Sequence, residues 1–131
     1  MRDFHYNQPW YSESDEITSA TIGEGIKNVG AYAFSVTDIK SASLPSTVTE
    51  IGDNAFANCI WFSSINIPHS LVKIGSDAFY DDFNLRSINL NKELKEIGKD
   101  AFSGNNSLAL QLHSVKLSVM IFFPSRISVI N

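Results

Sequence analysis

The chain has 131 residues, of which 44% are hydrophobic and 18% charged, and its ten basic and fourteen acidic side chains give a net charge of −4. This composition excludes an intrinsically disordered chain and lacks the basic stripe that nucleic-acid binding requires. The single cysteine, Cys59, excludes an internal disulfide framework and a cysteine-rich zinc site.

The opening residues show no signal peptide, since polar Arg2 and Asp3 follow Met1 and no apolar stretch develops. The longest apolar run, 119–123, is far shorter than the ~20 residues of a membrane-spanning helix. We therefore expect no membrane-spanning segment. The chain is then either cytosolic or a piece of a longer protein whose export signal lies elsewhere.

One motif returns between residues 17 and 108: Val or Ile, Gly, two variable residues, Ala and Phe. Its glycines are Gly30, Gly52, Gly75 and Gly98, at steps of 22, 23 and 23 residues, and its phenylalanines are Phe34, Phe56, Phe79 and Phe102. A repeat of this length indicates a solenoid, in which each coil buries its apolar face against its neighbours. We predict four coils, at about 17–38, 39–61, 62–84 and 85–108. Residues 1–16 form a lead-in whose aromatic residues should cover the first coil: Phe4, Tyr6, Trp10 and Tyr11.

Each repeat also holds two apolar residues spaced by two, such as Ile65 and Ile67, which share one face of a strand. One short strand cannot bury its face alone, so this spacing predicts a parallel sheet of stacked strands. The motif glycine suits either a turn with positive φ or a close backbone approach. We expect the Ala-Phe pair that follows to lie on a single helical turn, with Asp53 and Ser76 as N-caps, and each Phe to stack on the next.

Two departures from the repeat stand at its ends. The first repeat is one residue shorter than the others between Phe34 and Ile39, so its loop should be tighter. Residues 109–131 alternate like a strand at Val115, Leu117 and Val119 but lack the motif. We expect this segment to be a C-terminal cap. The alternative is a truncated array whose tail pairs with another chain, giving self-association.

The outward strand positions are the first candidate site, because small polar side chains recur there in every repeat. The candidate ligand-binding residues are Ser41, Ser43, Ser64, Asn66, Ser87 and Asn89, flanked by Lys40 and Arg86. Such a flat polar strip suits a protein or a glycan. The alternative is an ordinary solvent-facing surface, since small side chains contribute little binding energy.

A secondary candidate is an aromatic patch of Trp61 and Tyr80, which fall at variable positions of the repeat. The alternative is that Phe83 packs inside with Ile60 while Trp61 is partly buried.

No catalytic constellation is visible. Cys59 shares a column with Thr37, Asp82 and Asn105, which indicates a structural thiol that satisfies loop backbone, because a nucleophile would need a nearby base. We interpret the adjacent acids at 81 and 82 as solvated loop residues, since a calcium loop supplies several carboxylates at regular spacing. The three histidines, His5, His69 and His113, share no metal-site spacing. We therefore predict no enzyme activity, no metal and no cofactor.

The segments SLPSTVTEIGDNAFANC at 43–59 and NIPHSLVKIGSDAFYDD at 66–82 resemble the BspA-type leucine-rich repeat. The lead-in QPWYSESDEITSATIGEGI at 8–26 is similar to the segment that often precedes the first such repeat in bacterial surface proteins. The resemblance implies a leucine-rich-repeat solenoid: a right-handed coil with a short parallel sheet on one face and turns or short helical turns on the other. It also implies a non-catalytic protein-binding or adhesion module of a secreted or cell-surface microbial protein, whose partner is a host or matrix protein or a glycan. The alternatives are a structural spacer within a larger surface protein and a glycan-binding accessory module.

Overall fold

The computed structural model describes residues 9–10, 15–112 and 128–130. Ten short strands follow one another in this part of the chain: β1 (Ser19–Thr21), β2 (Asn28–Val29), β3 (Ser41–Ser43), β4 (Glu50–Ile51), β5 (Ser64–Ile65), β6 (Lys73–Ile74), β7 (Ser87–Leu90), β8 (Glu96–Ile97), β9 (Ala109–Leu112) and β10 (Ser128–Ile130). Turns connect them, and the described residues contain no helix.

The strands form parallel sheets in which each strand pairs with its equivalent in the next coil. One face carries β1-β3-β5 and then β7-β9-β10, and the second carries β2-β4-β6-β8. Ser19 lies opposite Ser41, and Ser41 opposite Ser64, so the register advances by 22 and then 23 residues. This pairing confirms the predicted solenoid with its parallel sheet.

The second sheet was not predicted, because its strands are only two residues long and show no alternation. Across it, Glu50 lies opposite Lys73, and Lys73 opposite Glu96. The Nζ of Lys73 is 3.4 Å from a carboxylate oxygen of Glu50, and this carboxylate raises the pKa of Lys73. Alternating charges thus line the exposed side of this sheet, where solvent keeps each ion pair weak.

The motif glycines allow neighbouring coils to approach closely. A Cβ atom on Gly52 would lie 2.7 Å from the backbone nitrogen of Ala31, and one on Gly75 would lie 2.6 Å from that of Asp53. Apart from that of Gly25, the positive φ angles of the described residues fall two and six residues after the motif glycine. These left-handed positions are Tyr32, Asn54, Asp77 and Asp100, followed by Val36, Asn58, Asp81 and Gly104. Of the two reasons considered for the glycines, the structure supports the close approach.

The helical turn predicted for the Ala-Phe pair was wrong. A left-handed residue just before the Ala-Phe pair interrupts any helix, so the segment is a run of turns. Every second N–H of this run points along the solenoid axis and reaches the next coil. Asn54, Phe56 and Asn58 donate to the carbonyls of Ser76, Ala78 and Tyr80 at 2.9, 2.9 and 2.7 Å. Hydrogen bonds therefore join the coils on the turn side as well.

The motif phenylalanines form a buried aromatic spine through the core, as predicted. Consecutive rings of Phe34, Phe56, Phe79 and Phe102 have centroids 5.4, 5.5 and 5.4 Å apart and planes within 12° of parallel. Phe62 joins this stack, 5.1 Å from Phe56. Each fully buried ring contributes roughly 1.5–3 kcal/mol through removal of apolar surface from water.

Trp10 continues the spine at the N-terminal end. Its ring lies 5.6 Å from that of Phe34, and its Nε1–H donates to the carbonyl of Ala33 at 3.0 Å. This confirms the aromatic lid for Trp10, whereas Phe4, Tyr6 and Tyr11 lie outside the described residues.

At the C-terminal end, β10 pairs in parallel with β9, with Ser128 opposite Ala109. The alternating segment at 115–119 lies outside the described residues, and the cap remains a prediction. No helix in the described part of the chain is long and apolar enough to cross a membrane.

Candidate functional site

The strand face brings the predicted polar residues into register. Ser19, Ser41 and Ser64 form one row across β1, β3 and β5, and Thr21 lies opposite Ser43. On the second half of the face Ser87 lies opposite Ala109, and Asn89 opposite Gln111. Because the apolar residues between them turn inward, the serines and Asn89 of β3, β5 and β7 face outward.

Most of these side chains are free to meet a ligand. Ser43, Ser64, Ser87 and Asn89 are exposed and Ser41 is half-buried, and none of the five side chains makes a hydrogen bond to another described residue. The flanking Lys40 and Arg86 are exposed as well. Backbone bonds fix their strands: the N–H of Lys40 donates to Thr18 at 2.8 Å, and the carbonyl of Arg86 accepts from Ala109 at 2.8 Å.

Asn66 differs from the other candidates because its side chain is already paired. Its Nδ2 donates to the carbonyl of Leu44 at 2.8 Å, while its Oδ1 accepts from the N–H of the same residue at 2.8 Å. The amide thus replaces the backbone pairing that β5 would offer at this position. The main role visible for Asn66 is to join its coil to the preceding one.

The aromatic patch does not form a single cluster. Trp61 is 51% exposed and Tyr80 37% exposed, but within residues 15–112 their rings make no aromatic contact. The inward packing considered for Phe83 was wrong, since its side chain is 52% exposed, like that of Ile60 at 43%. The reason is the preceding residue, Asp82, which turns inward and directs the next side chain outward.

A pocket of about 380 Å³ opens beside the strand face, at the point where the chain enters β1, β3 and β5. Asp15, Thr18, Asp38, Lys40 and Trp61 line it. Lys40 and Trp61 are among the residues predicted from the sequence, whereas the other three are not. The sequence feature that could have pointed to this place is the first repeat, which is one residue shorter than the others at Asp38.

The column that contains Cys59 lies inside the coil and satisfies loop carbonyls, as predicted. Thr37 Oγ1 and Cys59 Sγ both donate to the carbonyl of Phe34, at 2.8 and 3.0 Å. Asn105 Nδ2 donates to the carbonyls of Phe79 and Phe102, the latter at 3.0 Å. Cys59 is therefore a structural thiol.

The interpretation of Asp82 as a solvated acid was wrong. Asp82 is fully buried, and its Oδ1 accepts from the N–H of Cys59 at 2.8 Å. Burial raises the pKa of Asp82 to about 9. Burial, together with Asp82, raises the pKa of Cys59 to about 12, so the thiolate needed for nucleophilic chemistry is not formed at neutral pH. No three His, Cys, Asp or Glu side chains gather as metal ligands in the described ranges.

Comparison with known proteins supports the observed architecture. Residues 7–127 match the BspA type leucine rich repeat region, in six copies. A leucine-rich-repeat protein of T. pallidum is 31% identical, with a TM-score of 0.71 over 77% of this chain and 51% of its own. A leucine-rich cell surface protein of Faecalibacterium prausnitzii is 23% identical, with a TM-score of 0.76 over 90% of this chain and 33% of its own. The pneumococcal vaccine antigen PcpA is 25% identical, with a TM-score of 0.70 over 86% and 27%.

The chain thus spans about half the length of the first of these structures and about a third or less of the other two. A comparison with curated proteins gave no match. These likenesses confirm the leucine-rich-repeat solenoid.

Proposed function

We propose that this chain, which belongs to the BspA-type leucine-rich-repeat family, is a non-catalytic protein-binding module of a secreted or cell-surface microbial protein. Its ligand would contact the outward face of β1, β3, β5 and β7. The observation that carries this proposal is the exposed row of polar side chains that have no partner within the described residues, held on strands whose backbones are fixed by parallel pairing.

Such a surface is suited to a protein ligand for two reasons. Parallel strands lie about 4.8 Å apart, so the serine row offers hydroxyl groups at regular spacing over several coils. The pairing also fixes these groups before binding, which reduces the entropy that association loses. Lys40 and Arg86 add positive charge at one edge of the row and would favour an acidic partner surface.

A surface location is supported by two of the similar structures, one described as a cell surface protein and one as a vaccine antigen. The ligand would then be a protein met outside the cell, such as a host or matrix protein. A structural spacer needs no ligand, so a binding measurement distinguishes it from a protein-binding module.

The test is biolayer interferometry of the purified chain against a panel of extracellular-matrix proteins. One variant, Ser43→Arg with Ser64→Arg, fills the strand face at two exposed positions of neighbouring coils. The matched control, Ser46→Arg with His69→Arg, adds the same two charges to exposed turns of the same coils. Asn66 is left intact because it pairs with Leu44.

We expect saturable binding that weakens at least tenfold in the strand-face variant and changes little in the control. Equal binding by both variants would place the ligand elsewhere on the solenoid. No binding across the panel would favour the spacer. Circular dichroism of all three proteins checks that the fold is kept.

A further inference from the structure

We infer that the pocket between Trp61 and Asp38 is a binding site for a neutral sugar residue, which adjoins the protein-binding face proposed above and shares Lys40 with it. The side chains that line it come from the end of the lead-in and from the first two coils, and they surround one half-exposed indole. It is an open depression whose volume of about 380 Å³ is large enough for one pyranose ring.

The pocket originates in the unequal length of the first two coils. Thr37 and Cys59 occupy equivalent buried positions of the two coils, with Oγ1 and Sγ 3.7 Å apart. The next equivalent buried pair is Ile39, two residues after Thr37, and Phe62, three residues after Cys59. Asp38 alone therefore spans the distance that Ile60 and Trp61 span together in the next coil. The coil with the missing residue leaves space beside the indole, and no other described repeat has this shortening.

The chemistry around this space suits a sugar. Trp61 offers a flat apolar surface for the C–H face of a pyranose ring. Asp15 and Asp38 supply acceptors, Lys40 supplies donors and Thr18 supplies both. None of these five side chains makes a hydrogen bond or ion pair with another described residue, so their polar groups are available to a ligand's hydroxyl groups.

The charge balance favours a neutral ligand over a basic peptide side chain. Two carboxylates and an indole would attract an arginine or lysine of a partner. Lys40, however, places an ammonium group in the same small pocket and offsets one of the two carboxylates, which weakens the attraction for a second cation. A neutral hydroxylated ring accepts from Lys40 and donates to the carboxylates without that conflict.

The entrance to the strands holds these groups in place. Lys40 N–H donates to Thr18 O at 2.8 Å, and Lys40 O accepts from the N–H and the Oγ of Ser63 at 2.9 and 3.2 Å. Behind Trp61, the carbonyl of Ile60 accepts from Asn84 Nδ2. This frame fixes the backbone beneath the pocket, which reduces the ordering cost of binding a small ligand.

The test is saturation-transfer difference NMR with the whole chain and four probes: methyl β-D-glucopyranoside, methyl α-D-mannopyranoside, methyl β-D-galactopyranoside and N-acetylglucosamine. Nα-acetylarginine amide serves as the cationic rival. The variants are Trp61→Ala, which removes the platform, and Asp38→Asn, which keeps the shape and changes one acceptor. Phe83→Ala removes an equally exposed ring one coil further along and is the control.

We expect at least one sugar to bind with a Kd on the order of 1 mM, the range of small ligands of this size. Trp61→Ala should weaken it at least tenfold and Asp38→Asn several-fold, while Phe83→Ala leaves it unchanged. Binding of the arginine amide without any sugar would overturn the inference in favour of a cationic side chain. Silence of every probe, or sugar binding that survives Trp61→Ala, would overturn it outright. Neither result bears on the strand-face variants, because these leave Trp61 and Asp38 intact.

Discussion

Replacement of Asp82 by asparagine should raise the free energy of unfolding at neutral and alkaline pH. Asp82 Oδ2 has no hydrogen-bond partner among the described residues, and neither has Oδ1 of Asn105 in the same column of the next coil. Burial raises the pKa of Asp82 from 3.8 to about 9, so the folded chain holds a proton that the unfolded chain releases. Asparagine carries a permanent donor in place of that proton and keeps the acceptor for the N–H of Cys59.

The magnitude follows from the pKa values of the two states. Because the folded-state pKa lies above the ordinary value of 3.8, the contribution of Asp82 to stability is complete below that pH and is lost as the pH rises towards about 9. Within this window the unfolded state binds one proton fewer, which lowers the free energy of unfolding by up to about 1.4 kcal/mol per pH unit. The asparagine variant lacks this slope. The free energy of unfolding of this variant should exceed that of the parent chain by little at about pH 4, and the difference should grow as the pH rises.

The assay is urea unfolding, followed by circular dichroism at about pH 5, 6, 7 and 8, with the free energy extrapolated to water. The control is Asp100→Asn, which makes the same substitution at a half-buried residue of the next coil, whose φ of 55° asparagine tolerates. If the parent chain and Asp82→Asn gave parallel profiles over this range, Asp82 would not be protonated in the folded state and the reasoning would fail.

Three further predictions concern the core. Phe79→Ala should lower the free energy of unfolding by about 3–5 kcal/mol, because Phe79 is fully buried between two rings at 5.5 and 5.4 Å. The 52% exposed Phe83 should tolerate the same change within about 0.5 kcal/mol. Urea unfolding compares the two variants, and equal midpoints would contradict the stabilising role of the stacked rings. Gly75→Ala should lower the Tm, since its Cβ would lie 2.6 Å from a backbone nitrogen of the preceding coil, whereas Gly23→Ala meets nothing within 4 Å; calorimetry compares them, and an unchanged Tm for Gly75→Ala would argue against the close approach. Burial raises the pKa of Cys59 to about 12, so a disulfide reagent such as Ellman's should react with it only after denaturation; fast reaction of the folded chain would show an accessible thiolate.

The repeated columns made the spine and the strand register predictable. Each coil buries the same positions, so four weak local signals combine into one strong pattern, and a slip of one residue would turn the apolar set to solvent. The left-handed turn positions could also have been predicted from the sequence. Asn54, Asp77 and Asp100 recur two residues after the glycine, and these types tolerate left-handed backbone, but Asp53 and Ser76 were interpreted as helix caps instead.

The candidate site was less predictable because polar residues of one type serve two purposes. Asn66 and Asn89 stand at equivalent outward positions, yet only Asn66 pairs with the backbone of its neighbour. Asp81 and Asp82 are adjacent, yet only Asp82 is fully buried. Whether such a side chain faces solvent or pairs with backbone depends on which carbonyls and N–H groups the neighbouring coil presents. A pattern within one coil does not contain that information.

The hydrogen bonds between coils have a mechanical consequence. They run along the solenoid axis in both sheets and in the turns, as between Phe56 and Ala78. Tension applied to the two ends of the chain acts along the same axis as these bonds. The coils should therefore detach one at a time, because the bonds of one coil break before the load reaches those of the next. Each released coil adds 22 or 23 residues, about 75–80 Å of extended chain, which optical tweezers would register as equal steps. A cell-surface protein built from such coils would lengthen under flow and absorb a sudden pull before its attachment to a ligand had to bear it.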